Sequence, residues 1–166
     1  MLAGWNVADP KSAVNAMMNC CGAHRWAQAM VDHRPVMTNT ELRAMADRFW
    51  NNMTEADWME AFAHHPRIGE RKASAASGQS SVWSAQEQSS TQSAAEVVLA
   101  ALAEGNARYE ETFGFTYIVC ATGKSTEEML AILQLRLTNT RQSELREAAE
   151  QQRQIMHLRL AKWLEQ

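Results

Sequence analysis

Helix-start signatures recur along this chain, each followed by apolar residues at helical spacing, and no other feature constrains the fold as strongly. Thr38-x-x-Glu41 precedes Leu42, Met45, Phe49 and Trp50. Ser84-x-x-Glu87 precedes Ala95, Val98, Leu99, Leu102 and Tyr109, and Ser125-x-x-Glu128 precedes Met129, Ile132, Leu133 and Leu137. In each, the hydroxyl can accept from the amide three residues on, while the glutamate reaches back. Thr54 caps a run holding Trp58, Met59 and Phe62, and Pro10 suits the first turn ahead of Ala13, Met17, Met18 and Cys21. Trp26, Met30 and Val31 mark a short helix ended by Arg34-Pro35. Asn139 or Thr140 starts the last, with Leu145, Ala149, Ile155, Met156, Leu160 and Trp163. Caps and periodicity agree, which predicts an all-α fold, a single compact domain over residues 1–166 with seven or eight helices.

Two stretches depart from that pattern. Phe113 to Ala121 (FGFTYIVCA) is rich in β-formers and reads as a short strand or a buried extended crossing. Residues 69–83, rich in Ser, Ala and Gly, read as a loop long enough to be a candidate lid.

Composition narrows the function. With 166 residues and 46% hydrophobic content the chain can bury one real core, and a net charge of −3 argues against a nucleic-acid binder with a broad basic face. Its three cysteines, Cys20, Cys21 and Cys120, include an adjacent pair and form no disulfide framework. MLAGWNVADPK lacks the pattern of a signal peptide, no apolar run approaches the ~20 residues of a membrane span, and the terminal LEQ is not a peroxisomal address. Without a secretion signal, the sequon at Asn52-Met53-Thr54 is coincidental. The expected location is the cytoplasm.

Several motifs carry chemistry, and each also has a structural reading. Gly123-Lys124-Ser125 looks like the end of a phosphate loop, but the glycine required five places earlier is Ile118, so it reads as a turn and an N-cap. His64 and His65 lack paired metal-ligand spacing, and no metal is expected. Pro66 ends a helix at about His65. A histidine there faces the negative end of the helix dipole, which favours its protonated form, and it titrates near neutral pH. It can equally serve only to satisfy the last carbonyls. Ser84 and Glu87 are explained by capping alone. Gln88, on the same face, is not, and an accessible helix N-terminus can hold an anion or a urea-like carbonyl. Arg159, within Leu158-Arg159-Leu160, and Arg136, within Leu135-Arg136-Leu137, are each either a snorkelling surface residue or a buried clamp for a planar anion. The six Trp and ten Met residues read as core or subunit interface.

Taken in order, His65-Pro66 with Gly69, Trp83-Ser84-x-x-Glu87-Gln88, Phe113-Gly114-Phe115, Gly123-Lys124-Ser125, Arg136 and Leu158-Arg159-Leu160 resemble the OHCU decarboxylases. These are the 2-oxo-4-hydroxy-4-carboxy-5-ureidoimidazoline decarboxylases of the urate-to-allantoin pathway. No single motif is specific, but the ordered set is, and it spans about two thirds of the chain. The resemblance implies a compact helical homodimer without a cofactor, acting on a small ureido-imidazoline. It places the catalytic histidine on His65, with Glu87 and Arg159 as its catalytic companions. Substrate contacts fall on Pro66, Ser84, Gln88 and the main chain of Tyr117, Ile118, Val119, Cys120 and Ala121. Arg67 stands where many relatives have an acidic residue, and the 69–83 loop departs in length and composition. The competing readings are a non-enzymatic helical interaction domain with the Trp and Met residues as its binding face, and, third, a metal hydrolase.

Overall fold

The structure is a computed structural model that describes residues 1–68 and 85–166, with side chains from 95 onward in the second stretch. The 69–83 loop, Trp83 and Ser84 lie outside the described residues. Among those described there are eight helices and no strand: α1 (Leu2–Val7), α2 (Pro10–Cys20), α3 (His24–Asp32), α4 (Asn39–Asn51), α5 (Glu55–Ala63), α6 (Ala85–Phe113), α7 (Thr126–Arg136) and α8 (Arg141–Leu164). They divide into two compact units, one of Met1–His65, Ile118–Cys120 and Leu145–Gln166, the other of the described parts of Pro66–Tyr117 and Ala121–Glu144.

The caps explain where the helices start. Pro10 opens α2 behind Asp9, whose carboxylate accepts from the Ser12 amide. Thr54 with Asp57 and Ser125 with Glu128 close complete reciprocal capping boxes. At Thr38 the reciprocity predicted from the sequence is broken. The hydroxyl accepts from the Glu41 amide, but the Glu41 carboxylate takes the Met37 amide, one residue further back. Ser143 N–H donates to the Thr140 hydroxyl, which selects Thr140 over Asn139 as the start of α8.

In the first unit, α2 packs on α3, and α3 on α4 and α5. Met17, Trp26, Met30, Leu42, Trp50, Phe62 and Met156 are fully buried there. The indole N–H of Trp5 donates to the Ala13 carbonyl, that of Trp26 to Ala46 and that of Trp50 to Ala149, at 3.0, 3.1 and 3.0 Å. An indole N–H left unmet in such a core would cost about 1–3 kcal/mol. These Trp and Met side chains are core, not an exposed binding face. The short α1 has no side-chain cap. Arg34 closes its C-terminal end instead, donating to the carbonyls of Trp5 and Ala8.

In the second unit, α6 packs on α7. A methyl at Gly105 would sit 2.6 Å from Leu133 Cδ2, so the missing side chain permits the close approach. Leu102 and Tyr109 are buried, but Ala95 and Leu99 are exposed, so the apolar stripe predicted for α6 is covered only toward its C-terminal half. The helix runs to Phe113 and stops where Gly114 adopts φ +81°, its N–H returning to the Glu110 carbonyl. The β-rich run beyond it is the buried extended crossing. Phe115, Tyr117, Ile118, Val119 and Cys120 are all buried.

Arg136 is a buried clamp. It pairs with the fully buried Glu144 carboxylate, Nε to Oε1 at 2.7 Å, while its guanidinium lies 4.9 Å from the Tyr117 ring centre. The Tyr109 hydroxyl donates to the same carboxylate, and Asn139 Nδ2 completes it at 2.8 Å. Burial, and then this bond, push the Tyr109 phenol well above its usual range. Removing one partner of such a pair strands the other charge. Glu144→Leu should therefore cost about 3–5 kcal/mol by urea denaturation, and the double variant Arg136→Met/Glu144→Leu less than Glu144→Leu alone.

Candidate active site

The site begins at the end of α5. The helix stops at Ala63, and the amides of His64 and His65 still bond back to the carbonyls of Ala61 and Phe62 before Pro66. Here the two histidines part. His64 turns its Nδ1 to the Glu60 carbonyl at 2.9 Å and packs over Gly22, where any Cβ would meet the His64 ring at 2.5 Å. The Glu60 carboxylate accepts from the His24 amide at 3.1 Å, tying the end of α5 to the start of α3. The role of satisfying a last carbonyl thus belongs to His64.

His65 is half-buried and directs Nε2 at Gln152 Oε1, 2.5 Å away. Gln152, on α8, is fully buried, and its Nε2 points at Cys21 Sγ at 3.9 Å. Burial and then the charge of Arg159 lower the His65 pKa below 6.5. The bond to Gln152 opposes them, and His64 adds the least of the lowering. This corrects the sequence-based expectation of a protonated imidazole, because desolvation and a neighbouring cation outweigh the end of a nine-residue helix. The same burial raises the Cys20 and Cys21 thiols to about 11 and about 12, with Arg159 acting in opposition on both. Arg159 is half-buried, and among the described residues its guanidinium forms no hydrogen bond or ion pair. It is not committed as Arg136 is.

The crossing Ile118–Cys120 belongs to the same unit. Gln151, next to Gln152 on α8, accepts from the Cys120 amide at 2.9 Å, so that N–H is already used. Val119 differs. Among the described residues neither its N–H nor its C=O has a hydrogen-bond partner, although the residue is buried. An unmet backbone pair in such a place is a donor and an acceptor awaiting a ligand or water. The first unit therefore holds His65, Arg159 and Ile118 to Cys120, with the Arg159 charge felt at the His65 ring.

The remaining expected residues belong to the second unit. Tyr117 donates its hydroxyl to the Met129 carbonyl at 3.1 Å, and the exposed Ala121 accepts from the Lys124 amide. Pro66 is exposed, and Arg67 after it pairs with Glu110 at 2.6 Å. Glu87 and Gln88 lie in the first turn of α6. Their side chains, like Ser84, lie outside the described residues. A cavity of about 400 Å3 in this unit is lined by Arg67, Ile68, Asn106 and Glu110 among others, and by none of the expected site residues. Among the described residues no group of three His, Cys, Asp or Glu is placed to hold a metal ion.

Gln152 was not singled out in the sequence, and Cys21 was read only as part of an apolar stripe and of an adjacent cysteine pair. A signal was present, since Leu145, Ala149, Met156 and Leu160 define a stripe in which position 152 must also face inward.

Residues 6–161 match the family model described as OHCU decarboxylase. The chain is 36% identical over 146 residues to the uric acid degradation bifunctional protein TTL of Arabidopsis thaliana, an alignment covering 86% of this chain and 44% of that protein. It is 25% identical over 157 residues to a 2-oxo-4-hydroxy-4-carboxy-5-ureidoimidazoline decarboxylase of Haloferax volcanii, covering 94% of this chain and 91% of that one. A crystal structure of an OHCU decarboxylase in the presence of (S)-allantoin superposes with a TM-score of 0.72 at 32% identity, over 96% of this chain and all of that one. A crystal structure of an (S)-allantoin synthase gives the same TM-score at 17% identity, over 98% of this chain and 54% of that one, and speaks to the fold alone.

If the Arg159 charge helps hold the His65 imidazole neutral, Arg159→Gln should raise the His65 pKa in an NMR titration. An unmoved titration would show that the charge is not felt at the ring.

Proposed function

The chain belongs to the OHCU decarboxylase family, and from that premise we propose that it decarboxylates 2-oxo-4-hydroxy-4-carboxy-5-ureidoimidazoline to (S)-allantoin, as a carboxy-lyase without a cofactor. The observation that carries the reading is the pairing in one unit of an imidazole held neutral with a guanidinium free of hydrogen bonds and ion pairs among the described residues. A neutral imidazole can take a proton, and a free guanidinium can receive an oxyanion through two parallel N–H···O bonds.

The substrate carries a hydroxyl and a carboxylate on one ring carbon, beside a ring C=N. When the carbon–carboxylate bond breaks, its electron pair becomes a double bond between the two ring carbons, the C=N π pair moves onto the nitrogen, and that nitrogen takes a proton from solvent. The substrate is its own electron sink, which is why no cofactor is required. His65 takes the hydroxyl proton as CO2 departs, and the hydroxyl-bearing carbon becomes a carbonyl. The proton is then returned to one face of the neighbouring carbon, which carries the ureido group and becomes the stereocentre. Arg159 holds the carboxylate or the oxygen that gains charge. Glu87 binds the ureido N–H groups, with Ser84 and Gln88 completing the hydrogen bonds and Pro66 bounding the site. The main chain from Tyr117 to Ala121 reads the ring edge. That neither the N–H nor the C=O of Val119 has a partner among the described residues supports this role.

Residues 1–166 are read as one domain of this kind, forming a homodimer in the cytoplasm. The exposed Val97, Leu99 and Leu135 are apolar side chains that a partner subunit would cover. Three unbridged, buried cysteines suit a reducing compartment. Among the described residues no helix is long and apolar enough to cross a membrane, and the net charge of −3 offers nucleic acid no basic face.

The test generates the substrate enzymatically from urate and follows optical activity. Wild-type protein should yield (S)-allantoin faster than the spontaneous racemic route. His65→Ala should lower kcat by about 10²–10⁴-fold. Because the His65 pKa is lowered, its base form persists to acid pH, and kcat/KM should fall only as pH drops below 6.5.

Glu87→Gln separates binding from capping. Lost turnover with an unchanged Tm marks a substrate contact. A loss of about 1 kcal/mol of stability with normal turnover marks a cap instead.

A further inference from the structure

We propose that Gln152 is a positioning residue that selects the working nitrogen of His65, fixing the ring as the Nε2–H form and leaving Nδ1 to move the proton. The inference rests on the decarboxylase reading for its consequence in turnover, but its structural content can be tested without substrate.

The orientation of the Gln152 amide decides the matter, and its surroundings fix that orientation. The amide sits wholly buried between Cys21 Sγ and His65 Nε2. The sulfur also receives the Ala23 backbone N–H, so it acts as an acceptor, and the S–H that burial preserves is only a weak donor. An acceptor calls for the amide nitrogen on its side, at 3.9 Å, which turns the amide oxygen toward the imidazole at 2.5 Å. A carboxamide oxygen can only accept. Nε2 must therefore carry a hydrogen whether the ring is neutral or charged, and the proton that comes and goes is the one on Nδ1. Ring angle and tautomer are thereby set by a residue that need not touch the substrate, as second partners do for other histidines.

Among the described residues, the charged and titratable groups acting on His65 are Arg159 from α8 and the adjacent His64, with Cys21 behind Gln152. Arg159 and His64 are unchanged in the variants below, so a shift in the pH profile reports on position 152.

Heteronuclear NMR of the imidazole nitrogens, with the His65 signals assigned by their loss in His65→Gln, should show Nε2 protonated and Nδ1 bare in the neutral protein. Gln152→Glu keeps an acceptor in place and adds a negative charge, so the acid limb of kcat/KM should move up by about one pH unit or more. Gln152→Met removes the acceptor at similar volume. It should move that limb down and lower kcat by about tenfold or more, with KM changed much less. A neutral His65 carrying its hydrogen on Nδ1 would overturn the proposal, as would limbs for the two variants that coincide with wild type. Should Gln152→Met fail to fold, the wild-type ring spectrum and the Gln152→Glu profile still decide. Wild-type protein that leaves the substrate at its spontaneous rate would sink the proposed reaction instead, while the ring spectrum continued to judge the role of Gln152.

Discussion

The short hydrogen bond between His65 Nε2 and Gln152 Oε1 is the contact through which the fold reaches the candidate chemistry. An imidazole just past a helix end is ordinarily free to rotate and to charge. Here one nitrogen is tied to a fully buried amide on α8, and the ring is desolvated enough to lose its preference for the cation. The amide is itself held at Cys21. Three segments far apart in sequence, at the turn after α2, the end of α5 and the middle of α8, thus fix one ring. None of them would fix it alone. Gly22 belongs to the same arrangement, because only a residue without a side chain leaves room for His64 to turn aside and bond to Glu60.

The two arginines set between leucines show how structure separates what sequence leaves alike. Arg136 finds a buried carboxylate, a tyrosine hydroxyl and an aromatic face, and every one of those partners is spent on stability. Arg159 finds sulfur atoms and an imidazole, none of which can neutralise it. Among the described residues no carboxylate answers this half-buried guanidinium, and a charge from which water is partly removed is costly to hold. Such a cost persists where function requires it, and an anionic ligand is the natural complement.

Much of the fold was legible because helix signals are local. Thr54 with Asp57 and Ser125 with Glu128 fix two helix starts through groups three residues apart, and the apolar spacing that follows shows which face turns inward. The signals fail where partners are remote. α1 is six residues without a side-chain cap, and Arg34, twenty-six residues beyond Ala8, holds its end. Glu41 chose the Met37 amide over that of Thr38, a choice its spacing does not encode. At the site, His65 could be named from its place before Pro66, but its charge could not. The helix dipole was readable from sequence; the burial and the charge of Arg159 that overrule it arise only when His65, just past α5, meets α8 at Gln152. Gln152 lay in plain view as a polar residue on an apolar stripe, yet its partner is eighty-seven residues away.

On the proposed reading, the same electrostatics let one imidazole act first as base and then as acid. In the free protein burial, and after it Arg159, oppose a charge on His65, so the ring rests neutral. A substrate carboxylate bound to that guanidinium would cancel the Arg159 part of the opposition, raising the proton affinity of His65 when the hydroxyl proton must be taken. By linkage, the anion and the ring proton favour each other's binding. Loss of neutral CO2 then carries away the carboxylate carbon but leaves its electron pair on the substrate, so the anion persists until the carbon beside the ureido group is protonated. Once that proton is delivered and the substrate's ring nitrogen has taken one from solvent, the ligand is neutral, Arg159 again opposes charge on the imidazole, and His65 is back in its resting form. The unpaired cation and the desolvated imidazole are therefore two halves of one device, whose period is set by the charge of the ligand between them.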